Sequence, residues 1–101
     1  MLFVLYCLDG PKATEMRPQW YAQHKAYVAQ AAEQIAFAGP LLDQPGGAPK
    51  GSLLVMDFAD KSAVADWLAG EPFNRAGVYA SIQVEHFANY WPQKAGFPPK
   101  A

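Results

Sequence analysis

Residues 2–8, Leu-Phe-Val-Leu-Tyr-Cys-Leu, decide the fold, because this stretch is apolar on both of its alternating faces. A strand with two apolar faces is covered on both sides, so we expect it near the centre of its sheet. Residues 52–58, Ser-Leu-Leu-Val-Met-Asp-Phe, contain a second apolar run of this kind. The sequence therefore predicts two central strands that lie far apart along the chain.

A helix and an edge strand are predicted between these two runs. Pro18 suits the first position of a helix that runs to about residue 34. Its inward stripe at helical spacing is Trp20, His24, Tyr27 and Ala31, broadened by Tyr21, Val28 and Ala32. Residues 35–42 form a short strand whose Gly39 and Pro40 favour a bend or a sheet edge, because proline cannot donate to a ladder.

The second half of the chain repeats this alternation. Asp60 is placed to cap a helix of about ten residues, with Gly70 in the left-handed position at its end. Glu71 then takes the N-cap position of a single-turn helix that begins at Pro72 and ends at Gly77. A last strand runs from residue 78 or 79 to about residue 88.

This order of elements, β, α, β, β, α, β, predicts an α+β fold of the ferredoxin-like type, a four-stranded antiparallel sheet with two helices on one face. Residues 2–8 and 52–58 then lie centrally, as their composition requires. The opposite face of the sheet still presents apolar side chains that form a patch too large to leave in water. We therefore expect a homodimer in which a second copy covers this open face.

Length, charge and cysteine content restrict the class of protein. The 101 residues fit one domain, with a core over residues 1–89 and an aromatic, proline-rich tail over residues 90–101. The formal net charge of −1 argues against nucleic acid or an anionic membrane as a partner. The first apolar run is too short for a membrane span and lacks the basic residues of a signal peptide, which predicts a cytoplasmic protein. Cys7 is the only cysteine, so no intrachain disulfide forms.

His24 is the most informative polar residue, because it interrupts the apolar stripe of the first helix. A lone histidine in such a stripe is more often a core residue with a satisfied hydrogen bond than a catalytic group. Glu71 has an equally plain interpretation as a helix N-cap. If the imidazole meets this carboxylate in a cleft, however, the two form a minimal proton-transfer device. His86 is the other histidine, and without clustered acids the pair does not predict a metal site.

Several motifs together resemble the YCII-related (YciI-like) family over roughly residues 1–90. The residues that carry the resemblance are Arg17, His24, Ala38-Gly39-Pro40, Gly51-Ser52, Glu71-Pro72-Phe73, Ala76-Gly77-Val78-Tyr79 and Val84-Glu85-His86-Phe87. The resemblance implies a dimeric α/β barrel, in a superfamily that also contains muconolactone isomerases. It also implies that His24 and the acid at position 71 form a catalytic pair. The family pattern has Asp at that position, and this chain has Glu71 instead.

The residues and the family resemblance together predict a cofactor-independent lyase or isomerase that acts on a small, aromatic-derived or unsaturated molecule. His24 and Glu71 are the predicted catalytic pair, and Arg17 with Ser52 steadies an anionic oxygen of the substrate. Phe73 and Tyr79 are predicted to line the substrate pocket, although aromatic residues of this kind equally suit the core. Arg17 also fits an ordinary surface position, and Ser52 an ordinary turn hydrogen bond.

Two other functions remain open at this stage. The first is a non-catalytic dimeric module that binds a small ligand or serves as an accessory domain, with His24 and Glu71 as a structural ion pair. The second is an interaction domain that uses the aromatic tail. The fold by itself does not choose among the three.

Overall fold

The computed structural model describes residues 1–91, and their elements follow the predicted order, with a short third helix before the last strand. The strands are β1 (Leu2–Asp9), β2 (Ile35–Leu42), β3 (Pro49–Asp57) and β4 (Tyr79–Phe87). The helices are α1 (Ala13–Gln30), α2 (Lys61–Gly70) and α3 (Pro72–Arg75), and a 3₁₀ turn (Ala32–Gln34) follows α1.

The four strands form one antiparallel sheet in the order β2-β3-β1-β4. The two strands with apolar residues on both faces, β1 and β3, occupy the centre, which confirms the prediction. β2 lies at an edge of the sheet, where the missing N–H of Pro40 does not interrupt the hydrogen bonds between the central strands. This is the strand order of the ferredoxin-like fold, and the predicted fold class is correct.

Both long helices cover the same face of the sheet. Phe3, Leu5 and Cys7 of β1 are fully buried there, in a cluster that includes Ala31, after α1, and Val64 of α2. Alternation along β1 sends its other side chains to the opposite face. The packing of both long helices on one side therefore leaves the second side of the sheet without a covering layer.

The uncovered side, which we call the open face, is mainly apolar along β1, β2 and β3, whereas β4 contributes Gln83 and Glu85 opposite Tyr6 and Val4. Tyr6 is 38% exposed, Phe37 43% and Phe87 40%. Strand register places Val4 opposite Val55, and Val55 opposite Phe37, so these apolar side chains are contiguous. A surface of this kind on a small domain usually contacts a partner or a ligand.

Helix α1 begins earlier than the sequence predicts. Its first residue is Ala13, whose N–H donates to the carbonyl oxygen of Gly10 at 3.1 Å, and Pro18 lies inside the helix. Proline has no N–H, so the carbonyl of Thr14 loses its helical partner. Thr14 and Pro18 are both exposed, so the two residues on either side of the missing hydrogen bond contact water. The helix also ends at Gln30, and the 3₁₀ turn completes the segment predicted to reach residue 34.

Two predictions about the helices are wrong, one about the buried face of α1 and one about the backbone at the end of α2. Tyr21 and Ala32 are exposed, so the buried stripe of α1 is narrower than its composition suggests. Gly70 does not have a left-handed backbone, because it is the last residue of α2 and only Gly46 and Gly77 have positive φ among residues 1–91.

Space explains the glycine at position 70 better than backbone conformation does. A Cβ atom on Gly70 would lie 2.6 Å from the hydroxyl oxygen of Tyr27. That hydroxyl donates a hydrogen bond of 2.8 Å to the carbonyl oxygen of Trp67. The glycine therefore allows α1 to approach α2 closely. Gly77, with φ of +80°, has the left-handed backbone that suits the end of α3.

Strand boundaries differ from the prediction by a few residues. β3 begins at Pro49, three residues before the predicted start, since its pairing with β2 extends to the Leu42–Pro49 pair. β4 ends at Phe87, and the next residues carry the exposed side chains of Tyr90 and Trp91. The rest of the predicted aromatic tail, which includes Phe97, lies outside the described residues. Within residues 1–91, no helix combines the length and hydropathy that crossing a membrane requires.

We expect Gly51→Ala to lower the free energy of unfolding by about 2–3 kcal/mol, because the new Cβ would overlap the backbone carbonyl oxygen of Cys7 in the neighbouring strand. Backbone in a central sheet cannot move away as a side-chain tip can. Gly39→Ala is the matched control, because a Cβ atom added there would have no atom within 4 Å outside its chain neighbours. Urea denaturation of both variants checks this, and equal stabilities would contradict it.

Candidate active site

A cavity of about 530 Å³ opens on the helical side of the sheet, between α1 and the β2–β3 pair. Apolar side chains such as Val28 and Leu54 form most of its walls. The polar or charged residues that reach it include Arg17, His24, Lys25 and Ser52. A concave, mostly apolar site with a few convergent polar groups is typical of small-molecule binding.

Glu71 lies next to this cavity, at the start of α3. Pro72 occupies the first turn of α3, where its missing N–H costs nothing, and Glu71 is the N-cap. Its carboxylate accepts hydrogen bonds from the backbone N–H groups of Phe73, at 3.1 Å, and Asn74, at 3.2 Å. The side chain is only 2% exposed. The predicted N-cap is therefore confirmed, and it is a buried one.

The same carboxylate binds His24. Nδ1 of His24 lies 2.5 Å from Oε1 of Glu71, across 47 positions of sequence. Because a carboxylate accepts at this contact, Nδ1 carries a proton. The imidazole also stacks on the ring of Phe73, with centroids 3.8 Å apart and planes 5° from parallel. The acid and the aromatic ring together fix both the tautomer and the plane of the imidazole.

The other ring nitrogen of His24, Nε2, belongs to a side chain that lines the cavity. The side chain is 18% exposed and His24 lines the cavity, whereas Glu71 does not. Within residues 1–91, Nε2 has no hydrogen-bond partner. Every fully buried side-chain nitrogen or oxygen in these residues does have a partner, so Nε2 is not fully buried. Nε2 is therefore accessible to a molecule in the cavity.

Arg17 belongs to a network beside His24. Its Nε and Nη2 donate to the two carboxylate oxygens of Asp9 at 2.7 and 2.8 Å, in a bidentate pair. Nη2 also donates to the carbonyl oxygen of Gly51 at 3.0 Å and to Oγ of Ser52 at 3.2 Å. Burial lowers the pKa of Arg17, but the hydrogen bond and the charge of Asp9 together raise it by a larger amount, so the net shift of the pKa is upward.

Tyr79 and Cys7 lie deeper in the same region. The Tyr79 hydroxyl donates to Oγ of Ser52 at 2.9 Å, and the Tyr79 ring packs edge-on against Phe73. Burial raises the pKa of the Tyr79 phenol despite this hydrogen bond. Burial, reinforced by the negative charge of Glu71, raises the pKa of the Cys7 thiol to about 12. Both groups keep their protons at neutral pH, and Cys7 is a buried structural thiol.

The structure brings the predicted site residues together in one region. Four of them, Arg17, His24, Ser52 and Phe73, line the cavity, while Glu71 and Tyr79 lie behind that lining. Sequence reasoning missed the partner of Arg17, which is Asp9. Tyr21, which was predicted on the inward stripe of the first helix, borders the cavity, and so does Lys25.

Residues 1–91 contain no group of three or more His, Cys, Asp or Glu side chains arranged to hold a metal ion. The histidine and acids of the site instead form pairs, His24 with Glu71 and Arg17 with Asp9.

Comparison with known proteins identifies the family. The YCII-related domain matches residues 1–88. The chain belongs to the YCII-related family. An uncharacterised protein of Haemophilus influenzae is 32% identical over 94 residues, which cover 86% of this chain and 96% of the relative. The resemblance inferred from the motifs is therefore confirmed.

One solved YCII-like structure has a described activity. It is the 5-chloro-2-hydroxyhydroquinone dehydrochlorinase of Burkholderia phenoliruptrix AC1100, in complex with 2,5-dihydroxybenzoquinone. It is similar to this chain with a TM-score of 0.82 and 32% sequence identity, covering 87% of this chain and 94% of that one. The two folds therefore agree over almost their whole length.

We expect Glu71→Ala to lower the free energy of unfolding by about 3 kcal/mol, because it removes a buried acceptor from two backbone N–H groups and from His24. Asp60→Ala is the matched control: Asp60 caps the exposed start of α2 through the N–H of Ala63 alone, and its loss should cost about 1 kcal/mol. Urea denaturation at neutral pH measures both. Equal losses would mean that Glu71 is an ordinary cap.

Proposed function

We propose that this chain is a cofactor-independent lyase or isomerase in which His24 transfers a proton to and from a small molecule in the cavity. One observation carries the proposal. Nδ1 of His24 is held by a buried carboxylate while Nε2 is accessible at the cavity. A base whose orientation is fixed by a second group, beside a ligand-sized space, is the arrangement that general acid–base catalysis requires.

The roles follow from the geometry of the pair. Nε2 accepts a proton from the substrate, and the negative charge of Glu71, 2.5 Å from Nδ1, stabilises the imidazolium that forms. Nε2 then returns the proton to another atom in an isomerisation, or releases it to solvent after an elimination. The stacked ring of Phe73 keeps the imidazole in one plane throughout, so no reorientation precedes transfer.

Glutamate at position 71, where the family pattern has Asp, is compatible with this role. The carboxylate of Glu71 accepts from both N–H groups at the start of α3 and also reaches His24. We therefore propose that the pair works with the longer acid.

The similarity to the dehydrochlorinase supports hydroxylated rings as the substrate class and loss of hydrogen chloride as the reaction. In such an elimination, His24 removes a proton, the electrons of the broken bond form a new double bond, and chloride leaves with the electron pair of the C–Cl bond. Apolar walls suit the ring, and the donors of Arg17 and Ser52 suit the oxygen on which negative charge develops. Double-bond migration needs the same groups.

We expect His24→Gln to lower kcat for chloride release from 5-chloro-2-hydroxyhydroquinone by about 10²–10⁴-fold, because the transferring group is lost. His86→Gln is the matched control, since His86 lies on β4 against Phe3 and does not line the cavity. Chloride release with the two variants and the parent chain measures this.

An active His24→Gln protein would overturn the catalytic assignment. If the parent chain binds the ring compound without releasing chloride, and no isomerised product forms, the non-catalytic ligand-binding module becomes the better description. In that case the His24–Glu71 contact is a structural pair only.

We also propose that the working form is a homodimer in which the open faces of two copies pack together. The contiguous apolar side chains of Val4, Tyr6, Phe37 and Phe87 support this, because one copy alone leaves them in water. Dimerisation through the open face leaves the cavity uncovered, since the cavity lies on the helical side of the sheet.

We expect the parent chain to sediment at twice its chain mass of 11.0 kDa, and Tyr6→Lys to sediment at the mass of one chain, because burying the ammonium group in the interface costs its hydration. Tyr21→Lys is the control, since that tyrosine is exposed on the helical side. Analytical ultracentrifugation separates the outcomes, and a Tyr6→Lys dimer would contradict the proposed interface.

A further inference from the structure

Two hydrogen bonds converge on the hydroxyl oxygen of Ser52. The Tyr79 hydroxyl lies 2.9 Å from Oγ, and Nη2 of Arg17 lies 3.2 Å from it. Ser52 is buried and lines the cavity, whereas Tyr79 does not. The direction of each bond decides what Ser52 can offer to a ligand.

The guanidinium of Arg17 has no acceptor, so it must donate. One proton of Nη2 serves Asp9, and the other is shared between the carbonyl oxygen of Gly51 and Oγ of Ser52. The bond to Ser52 is thus one branch of a three-centre contact. It nevertheless occupies a lone pair of the serine oxygen.

The Tyr79 hydroxyl also donates. Among residues 1–91, Oγ of Ser52 is the only hydrogen-bond partner of this hydroxyl. If Ser52 donated instead, the tyrosine proton would remain in a largely buried position without an acceptor, at a cost of about 1–3 kcal/mol. Burial raises the pKa of Tyr79, so the proton is present at neutral pH. Tyr79 therefore occupies the second lone pair of Ser52.

A serine hydroxyl has two acceptor lone pairs and one proton. With both lone pairs occupied, Ser52 can only donate, and no residue of the described chain accepts its proton. We propose that Ser52 donates this proton to a carbonyl or oxyanion oxygen of the ligand, and that Tyr79 is the positioning residue that fixes Ser52 in this role. The inference rests on the cavity being the ligand site of the proposed function.

This assignment restricts the substrate class. The ligand presents an oxygen that accepts at Ser52 and a proton-bearing atom at Nε2 of His24. A ring that carries a carbonyl or deprotonated hydroxyl beside its reacting carbon meets both requirements. A hydroxyl group that aims its proton at Ser52 finds no acceptor there, so such a pose is disfavoured. The accessible guanidinium of Arg17 adds positive charge on the same side.

A double-mutant cycle tests the inference, with 2,5-dihydroxybenzoquinone as the probe and isothermal titration calorimetry as the measurement. We expect Ser52→Ala to raise Kd by about 10-fold and Tyr79→Phe by about 3- to 10-fold, since each removes or misdirects one hydrogen bond to a charged oxygen. Adding Tyr79→Phe to Ser52→Ala should cause no further loss, because Tyr79 acts only through Ser52.

Tyr27→Phe is the matched control for Tyr79→Phe. The Tyr27 hydroxyl also makes one partly buried hydrogen bond, to the backbone of Trp67, and Tyr27 does not line the cavity. We expect this variant to lower Tm and leave Kd unchanged. If Tyr79→Phe behaves in the same way, Tyr79 is structural and the inference is overturned.

The other outcomes are equally decisive. Unchanged affinity in Ser52→Ala, additive losses in the double variant, or no binding of the quinone by the parent chain would each overturn the inference. Its failure is distinguishable from that of the proposed function, which depends on turnover rather than affinity. If the binding cycle of Ser52 and Tyr79 gives the expected result while the His24→Gln protein is fully active, only the catalytic role of His24 is overturned.

Discussion

The buried carboxylate of Glu71 is the constraint on which the site depends. A charge with 2% exposure is tolerable only if its oxygens are hydrogen-bonded, and Glu71 has three partners on two different helices. Two of them are backbone N–H groups at the start of α3, which fix where that helix begins. The third is His24, so α1 must lie where its imidazole reaches the acid. One desolvated group thereby sets the relative position of α1 and α3, and Phe73 follows because it is the second residue of α3.

The sequence predicts most of the fold because its strongest signals are local. The apolar faces of β1 and β3, the edge position of Pro40 and the caps at Asp60 and Glu71 each follow from a few neighbouring residues. Strand order then follows from the order of elements.

The errors concern features that depend on packing between elements. Helix α1 extends back past Pro18 to Ala13, whose N–H donates to the loop residue Gly10, and Gly70 is explained only by the approach of Tyr27 from another helix. For the site, residue types and family motifs suggested the His24–Glu71 pair, and the structure shows the contact. The Asp9–Arg17 pair was not suggested, because an acid that ends one strand meets an arginine of the next helix only once their crossing is known. Lys25 and Tyr21 border the cavity for the same geometric reason.

The two acids of the site share one arrangement, which explains why the cavity offers donors and positive charge. Asp9 and Glu71 lie behind Arg17 and His24 and do not line the cavity. Each acid orients a cationic or protonatable group without presenting its own negative charge to a ligand. Ser52 is also oriented by neighbouring residues, although not by an acid, because Tyr79 and Arg17 donate to its hydroxyl oxygen. Under the proposed function, an oxygen that gains negative charge would meet oriented donors that need no reorganisation, which is the condition under which hydrogen bonds contribute most to stabilising such charge.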